Sequence, residues 1–558
     1  MQFMPRPNRA IKVAIIAAVV LAFLGGGTHL YLRARASAAD GRLKVPGLQA
    51  PVEVIRDSWG VPHIYARNEE DLFFTQGFVQ AQDRFWQMEV YRRAAHGTLA
   101  EMLGEDALGS DKVSRTLGFA QAAHTRWEAL DADTRRMLEA YARGVNAYLL
   151  APDTPPFEFA LLEHVPEPWH PIDTLAWAQL LAWSQSTSWE AEIVRARLVR
   201  AVGPERAGHL DPAIAKALEA GGALSELAAL AHPLLLEEMG QEWPWASAVG
   251  HAGVGWVTDG SRSASGGPIL AAAPQMPVQM PSPWYLMHLV GGRYDVVGAT
   301  FPGIPGVAVG RNRTIAWAMV GSTVDNVDLY IERVRPGDPP QAEHRGQWQD
   351  MQVREEEIRV REQDEPVRIR VLTTRHGPLV TSLDSGSSEQ LALRWVGSER
   401  PATLLPCLLA LNRASNWEEL MAALRDWTVP AWMVLFADVQ GNVGHATAAA
   451  VPRRVGGDGG LPLPGWTGEH RWRGLLTSEA LPHGPQPTAG TLMVIDGAVL
   501  SESWPDRRWE GAAPSHTARR IADLIAAHSP LTVEDAQLIQ CDDRGPEQQL
   551  LSLLLALP

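Results

Sequence analysis

Gly253-Val-Gly-Trp256-Val-Thr-Asp-Gly-Ser261-Arg262-Ser-Ala-Ser-Gly266 is the stretch on which the fold of this chain turns. It runs from an apolar segment into a turn of Asp, Gly, Ser and Arg, and the sequence on its two sides has different periods. Upstream, Asp71 to Met102 places Phe74, Phe78, Ala81, Phe85 and Met88 three and four residues apart, the spacing of an apolar helix face. Leu130 to Leu149 and Thr174 to Val202 read as further helices. Downstream, short β-rich runs separated by turn residues follow one another: Arg293 to Val309, Ile315 to Met319, Val353 to Leu372 and Trp432 to Ala437. Helices first and strands later, with no βαβ rhythm, predict an α+β fold.

The same reading divides the rest of the chain. Val52 to Tyr65 predicts two strands around a turn at Gly60. Residues 41–203 form a helical part, 204–252 an Ala/Leu/Glu-rich spacer, and 253–558 a β-rich part that closes with a helix over Gln548 to Leu557. Glycine and proline cluster from Gly456 to Gly465, which predicts a surface loop.

Residues 1–40 stand apart. Arg6, Arg9 and Lys12 precede an apolar run from Val13 to Gly27 that Leu30, Tyr31 and Leu32 extend, the pattern of an export signal. Ala36-Ser37-Ala38 offers a cleavage site, while residues 12–32 are nearly long enough to span a bilayer as a helix. The segment is either a cleaved signal or an uncleaved membrane anchor. Both readings place the body from about Gly41 in the periplasm or outside the cell.

Composition narrows the function. With 558 residues, 46% hydrophobic and 20% charged, the chain reads as a large globular protein, and a net charge of −15 argues against nucleic acid as a partner. Cys407 and Cys541 allow one disulfide at most and read better as free buried thiols. No His-Glu-x-x-His, Cys-x-x-Cys or phosphate-binding glycine loop occurs, so zinc, redox and nucleotide chemistry have no motif here.

Several longer motifs carry a resemblance. They are Arg56-Asp-Ser-Trp-Gly-Val-Pro-His-Ile-Tyr-Ala66, Gly77-Phe-Val-Gln-Ala-Gln-Asp-Arg-Phe-Trp-Gln-Met-Glu89, Gly298-Ala-Thr-Phe-Pro-Gly-Ile-Pro-Gly306, Asp325-Asn-Val-Asp-Leu-Tyr-Ile-Glu332 and Phe436-Ala-Asp-Val-Gln-Gly-Asn-Val-Gly444. With the Gly253 stretch and in this order, they resemble the penicillin acylase family from about Val52 to Leu557. The resemblance implies a four-layer αββα sandwich of the N-terminal nucleophile hydrolase class with a shortened C-terminal part, which a second polypeptide completes, which has been remodelled, or which reflects a truncated reading frame. It also implies hydrolysis of linear acyl amides, of the penicillin or acyl-homoserine-lactone type. The nucleophile would be a serine freed as a new N-terminus, whose α-amino group serves as base.

That serine is missing. Gly253 occupies its position, and the nearby hydroxyls are Ser247, Thr258 and Ser261. The resemblance assigns the backbone oxyanion donor to Gly321 and a further active-site position to Gln275, and both match. The oxyanion asparagine falls at Asp496, in Met493-Val-Ile-Asp-Gly-Ala-Val, where a carboxylate opposes negative charge. The supporting arginine falls at Thr517, with Arg519 and Arg520 beside it. His63 and His288 belong to structural motifs. For the family's calcium ion the resemblance implies Glu192, Asp325, the Val327 carbonyl, Asp328 and, on a weaker match, Asp506. Two expectations follow: an acyl-amide hydrolase weakened or silenced, or a non-catalytic homologue that binds acyl ligands or a partner subunit.

Overall fold

The computed structural model describes Gly26 and residues 41–151, 156–186, 188–220, 253–274, 276, 279–322, 324–381, 389–400, 403–486, 490–495, 498–501 and 516–545. The N-terminal export segment and the expected helix over Gln548 to Leu557 therefore lie outside the described residues. Among those residues no helix is long and apolar enough to cross a membrane.

The elements that frame the site are, in chain order, strands β1 (Glu53–Arg56) and β2 (Pro62–Tyr65) and helices α1 (Glu69–His96), α2 (Ala132–Leu149), α3 (Pro171–Ser184) and α4 (Ser188–Val202). Strands β3 (Gly253–Thr258), β4 (Ile269–Pro274), β5 (Tyr285–Gly291), β6 (Tyr294–Thr300), β7 (Val309–Arg311), β8 (Ile315–Gly321), β9 (Val327–Arg335) and β10 (Glu389–Trp395) follow. After them come β11 (Trp432–Asp438), β12 (Val443–Ala448), β13 (Val451–Val455), β14 (Arg471–Leu476), β15 (His483–Gln486), β16 (Thr491–Ile495) and β17 (Ala498–Ser501). Helices α5 (His516–Ala527) and α6 (Val533–Gln540) close the set.

These elements stack in four layers. Nine strands form one sheet in the order β1-β2-β5-β6-β7-β8-β11-β12-β15, and four form a second in the order β17-β16-β3-β4. Alternation along β3 joins the layers. Val257 packs with Val320 and Leu435 between the sheets, whereas Trp256 packs with Ile521, Ile525 and Ile539 of α5 and α6 on the outer face. On the far side α1 lies against the nine-stranded sheet, with Phe73 edge-on to Tyr294 at 5.1 Å between ring centroids. Helices, sheet, sheet, helices: the sandwich predicted for the chain is the one it adopts.

Several boundaries move for identifiable reasons. The first helix begins at Glu69, capped by the Asn68 side chain, and ends at His96 instead of running to Met102. Gly97 takes φ 65°, its N–H donates to the Ala94 carbonyl, and the Thr98 N–H donates to the Arg93 carbonyl, closing the helix in a Schellman motif. The stretch read as one helix from Thr174 to Val202 is two, α3 and α4. The spacer contains helices at Pro204–Leu210 and Pro212–Glu219. Val353 to Leu372 is a hairpin of Gln352–Ile358 with Val367–Thr374. Both cysteines are free, Cys407 buried as expected and Cys541 exposed.

Two glycines decide how tightly the helical layer packs. A Cβ on Gly77 of α1 would overlap the Tyr141 carbonyl oxygen of α2, and one on Gly144 would overlap the Phe74 carbonyl oxygen. Backbone meets backbone there, which sets how closely α1 and α2 approach each other.

Candidate functional site

Gly253 opens β3 and is buried, paired with Pro274 on the neighbouring strand. It shares a face with Gly255 and Val257, so its missing side chain is directed at the nine-stranded sheet. A Cβ built on Gly253 would stand 2.8 Å from Val320 Cγ1 and 3.5 Å from the Gly321 nitrogen. The two positions, 68 residues apart in sequence, meet because β3 crosses the end of β8.

The β8 ladder frees the Gly321 N–H for that meeting. Gly321 is opposite Trp432 of β11, and the Ser322 N–H donates to the Ala431 carbonyl at 3.2 Å. Hydrogen-bonded and non-bonded pairs alternate in an antiparallel ladder, so Gly321 and Trp432 form the non-bonded pair and the Gly321 N–H turns away from β11. On its other edge β8 pairs with β7 only at Ala316 and Trp317. This leaves a backbone donor at the end of a buried strand beside Gly253, the kind of group that can stabilise developing negative charge.

No hydroxyl among the described candidates reaches this place. Thr258 lies in β3 on the Trp256 face, turned away from Gly321 and fully buried. Ser261 is exposed in the following turn, its hydroxyl donating to Asp259 at 2.5 Å. Thr517 is exposed on α5. Arg520 is held by Asp542 at 2.8 and 3.1 Å. Ser247, Gln275, Asp496 and Asp506 lie outside the described residues, although β16 ends at Ile495 opposite Val254, one residue from Gly253.

A second cluster gathers the acids expected for calcium. Glu192 reaches from α4 to β9, where its Oε2 accepts from the Leu329 N–H at 3.3 Å, and both Glu192 and Asp328 are fully buried. Burial, reinforced by Asp328 and Asp325, pushes the Glu192 carboxyl well above the usual range. Burial also raises Asp325, to about 7, against the opposing pull of Arg454. Arg454 of β13 is the residue that the sequence reading missed. Its Nε lies 2.8 and 3.1 Å from the two Asp328 oxygens. Its Nη2 lies 2.8 Å from Asp328 Oδ1 and 2.9 Å from Asp325 Oδ2, and donates to the Asp325 carbonyl at 3.2 Å. The Trp472 indole N–H donates to Asp328 Oδ2 at 2.5 Å. The signal was an Arg453-Arg454 pair on a strand, of which alternation turns one inward; nothing local says toward what.

With Arg454 on it Asp328 is not open to a calcium ion, while Glu192 Oε1 and Asp325 Oδ1 are buried without a hydrogen-bond partner. A carboxylate has about four acceptor sites, and at Asp328 three N–H groups occupy them, the Arg454 Nε reaching both oxygens while Arg454 Nη2 and the Trp472 indole take one each. A divalent cation would also sit against a guanidinium. Among the described residues no group of three His, Cys, Asp or Glu side chains is arranged to hold a metal. A cavity of about 210 Å³, lined by Glu332, His344, Thr374 and Arg375 among others, includes neither Gly253 nor Gly321 in its wall.

An αββα sandwich whose two inner sheets bring Gly253 and Gly321 side by side has the layout of an N-terminal nucleophile hydrolase. The penicillin amidase family profile matches residues 51–557, and the chain belongs to that family. It is 34% identical over 531 residues to penicillin acylase 2 proenzyme of Pseudomonas sp. (strain SE83), covering 93% of this chain and 68% of that protein. It is 30% identical to the acyl-homoserine lactone acylase QuiP of Pseudomonas aeruginosa, covering 93% of this chain and 65% of that protein. The chain thus spans about two thirds of the length of these relatives. A solved thermostable penicillin G acylase from Alcaligenes faecalis aligns with TM-score 0.46 at 24% identity, over 55% of this chain and 56% of that one. The family supports acyl-amide hydrolysis as its common reaction.

Proposed function

We propose that this chain is an exported penicillin acylase-like protein that keeps the acylase scaffold and has lost the family's route of turnover. The observation that carries the reading is the meeting of Gly253 with Gly321: a backbone nitrogen that does not pair with β11 stands beside a position that bears no nucleophile. Asp496 adds to it, since a carboxylate at the asparagine position repels the oxyanion that the site would have to hold. Self-cleavage and substrate attack both need the same hydroxyl, so the two losses go together. What remains suits binding of an acyl ligand or a partner subunit.

The test is the intact mass of the purified protein with turnover of phenylacetyl and long-chain acyl amides. One uncut polypeptide and no turnover are expected. Two fragments with a new terminus at Gly253 or Ser247, together with turnover, would overturn the reading and establish the second one, an acyl-amide hydrolase with a different nucleophile. Export rests on the Arg6 to Leu32 segment. Cell fractionation should place the body outside the cytoplasm, and a full-length cytoplasmic protein would refute that.

A further inference from the structure

We propose that Arg454 is the resident cation of the acidic pocket between α4 and β9, a tethered guanidinium where the family resemblance calls for calcium. The geometry is that of a fork on its target: Nε and Nη2 lie on Asp328, and Nη2 also bridges to Asp325. Arginine suits such a place because its planar donors match carboxylates and its charge is permanent. The cation has its own supports. Trp472 shares Asp328 with it, and the Arg394 guanidinium lies 4.5 Å over the Trp472 ring.

An independent observation comes from the glycine run Gly456-Gly-Asp-Gly-Gly460. It is more than a surface turn, because it closes directly over this ion pair. Gly459 has φ 83°, and a Cβ on it would overlap Asp325 Oδ2 and stand 2.8 Å from the Arg454 Cζ. The loop therefore approaches to a distance that only glycine permits. The fully buried Glu192 completes the pocket from the helical part, with Oε2 on the Leu329 N–H and no hydrogen-bond partner for Oε1. Arg454 thus joins β13 to the acidic start of β9 beneath the helix that carries Glu192. A metal ion can leave such a place; a side chain cannot.

Metal content and melting test this. Wild-type protein purified in calcium should carry far less than one calcium per chain, and its Tm should not move with millimolar calcium or with EGTA. Arg454→Ala, which leaves buried acids without their partner, should melt about 3–4 °C lower, and added calcium should recover part of that loss. Arg454→Lys, a point charge without the fork, should lie between. Stoichiometric calcium in the wild type, a melting shift on chelation, or an Arg454→Ala protein that melts like the wild type overturns the proposal. An Arg454→Ala protein with no calcium response overturns the metal-equivalent role. If that variant fails to fold, the wild-type titration decides alone.

Discussion

Gly253 packs against both the Gly321 backbone nitrogen and the Val320 side chain, so that a Cβ on Gly253 would come within 2.8 Å of Val320 Cγ1 and 3.5 Å of that nitrogen. The bare backbone at Gly253 and the packing around it go together: Val320 occupies part of the volume that any side chain there would need.

Gly253→Ser should therefore neither cleave the chain nor turn over acyl amides, and should cost stability. Overpacking a tight site costs about 1–3 kcal/mol. Gly253→Ser with Val320→Ala should recover most of that loss while activity stays absent, because Asp496 and Thr517 are unchanged and such residues act as a unit. Urea midpoints of the three proteins, with an acyl-amide assay, check both parts. Full turnover by the single variant would contradict them.

The native chain should stay joined between Ala252 and Gly253. Mass spectrometry of protein recovered from cells should find the Ala252–Gly253 peptide bond in a tryptic or chymotryptic digest. A mature fragment beginning at Gly253 would show that cleavage does not need a hydroxyl at that position.

His445 lies fully buried in β12, opposite Leu435. Burial, with a smaller contribution from His483, pushes its imidazole down from 6.5 to about 4. The folded state thus refuses a proton that the unfolded chain accepts. Stability is fully present above about pH 6.5 and is lost as pH falls toward 4, by about 3 kcal/mol for this group. Melting curves from pH 7 to pH 4 should show the loss, and His445→Phe should reduce its slope. An unchanged slope would exclude His445 as the source.

At the crossing of α1 and α2, Gly144→Ala should destabilise by about 3 kcal/mol or more, because the new methyl meets the Phe74 carbonyl oxygen and backbone cannot turn aside. Gly208→Ala, whose Cβ would meet Ala215 Cβ at 3.3 Å and the Ala215 backbone only at an ordinary contact distance of 3.7 Å, should cost much less. Comparing the two by denaturant unfolding separates close packing from the general helix preference for alanine.

Periodicity made much of the architecture readable. The spacing from Phe74 to Met88 marked α1, and the glycine between Val52 and Tyr65 marked the hairpin of β1 and β2, whose Gly60 takes φ 79°. Boundaries were less readable where chain-reversing contacts set them. Gly97 ends α1 by hydrogen bonds to Ala94 and Arg93, and apolar spacing simply runs past it.

The sequence by itself determined the absence of a nucleophile at Gly253, since no arrangement of the chain gives glycine a hydroxyl. It also determined which layers form, because alternation along β3 commits Val257 to the interface between the sheets and Trp256 to the face covered by helices. Only tertiary structure decided what stands beside the vacant position and what fills the acidic pocket. Val320 and Gly321 reach Gly253 through sheet crossing, and Arg454 reaches Asp325 and Asp328 across more than 120 residues. The reason is physical. Covalent identity fixes which groups a residue carries, whereas a contact between distant residues exists only once packed strands have chosen which side chain occupies a shared volume.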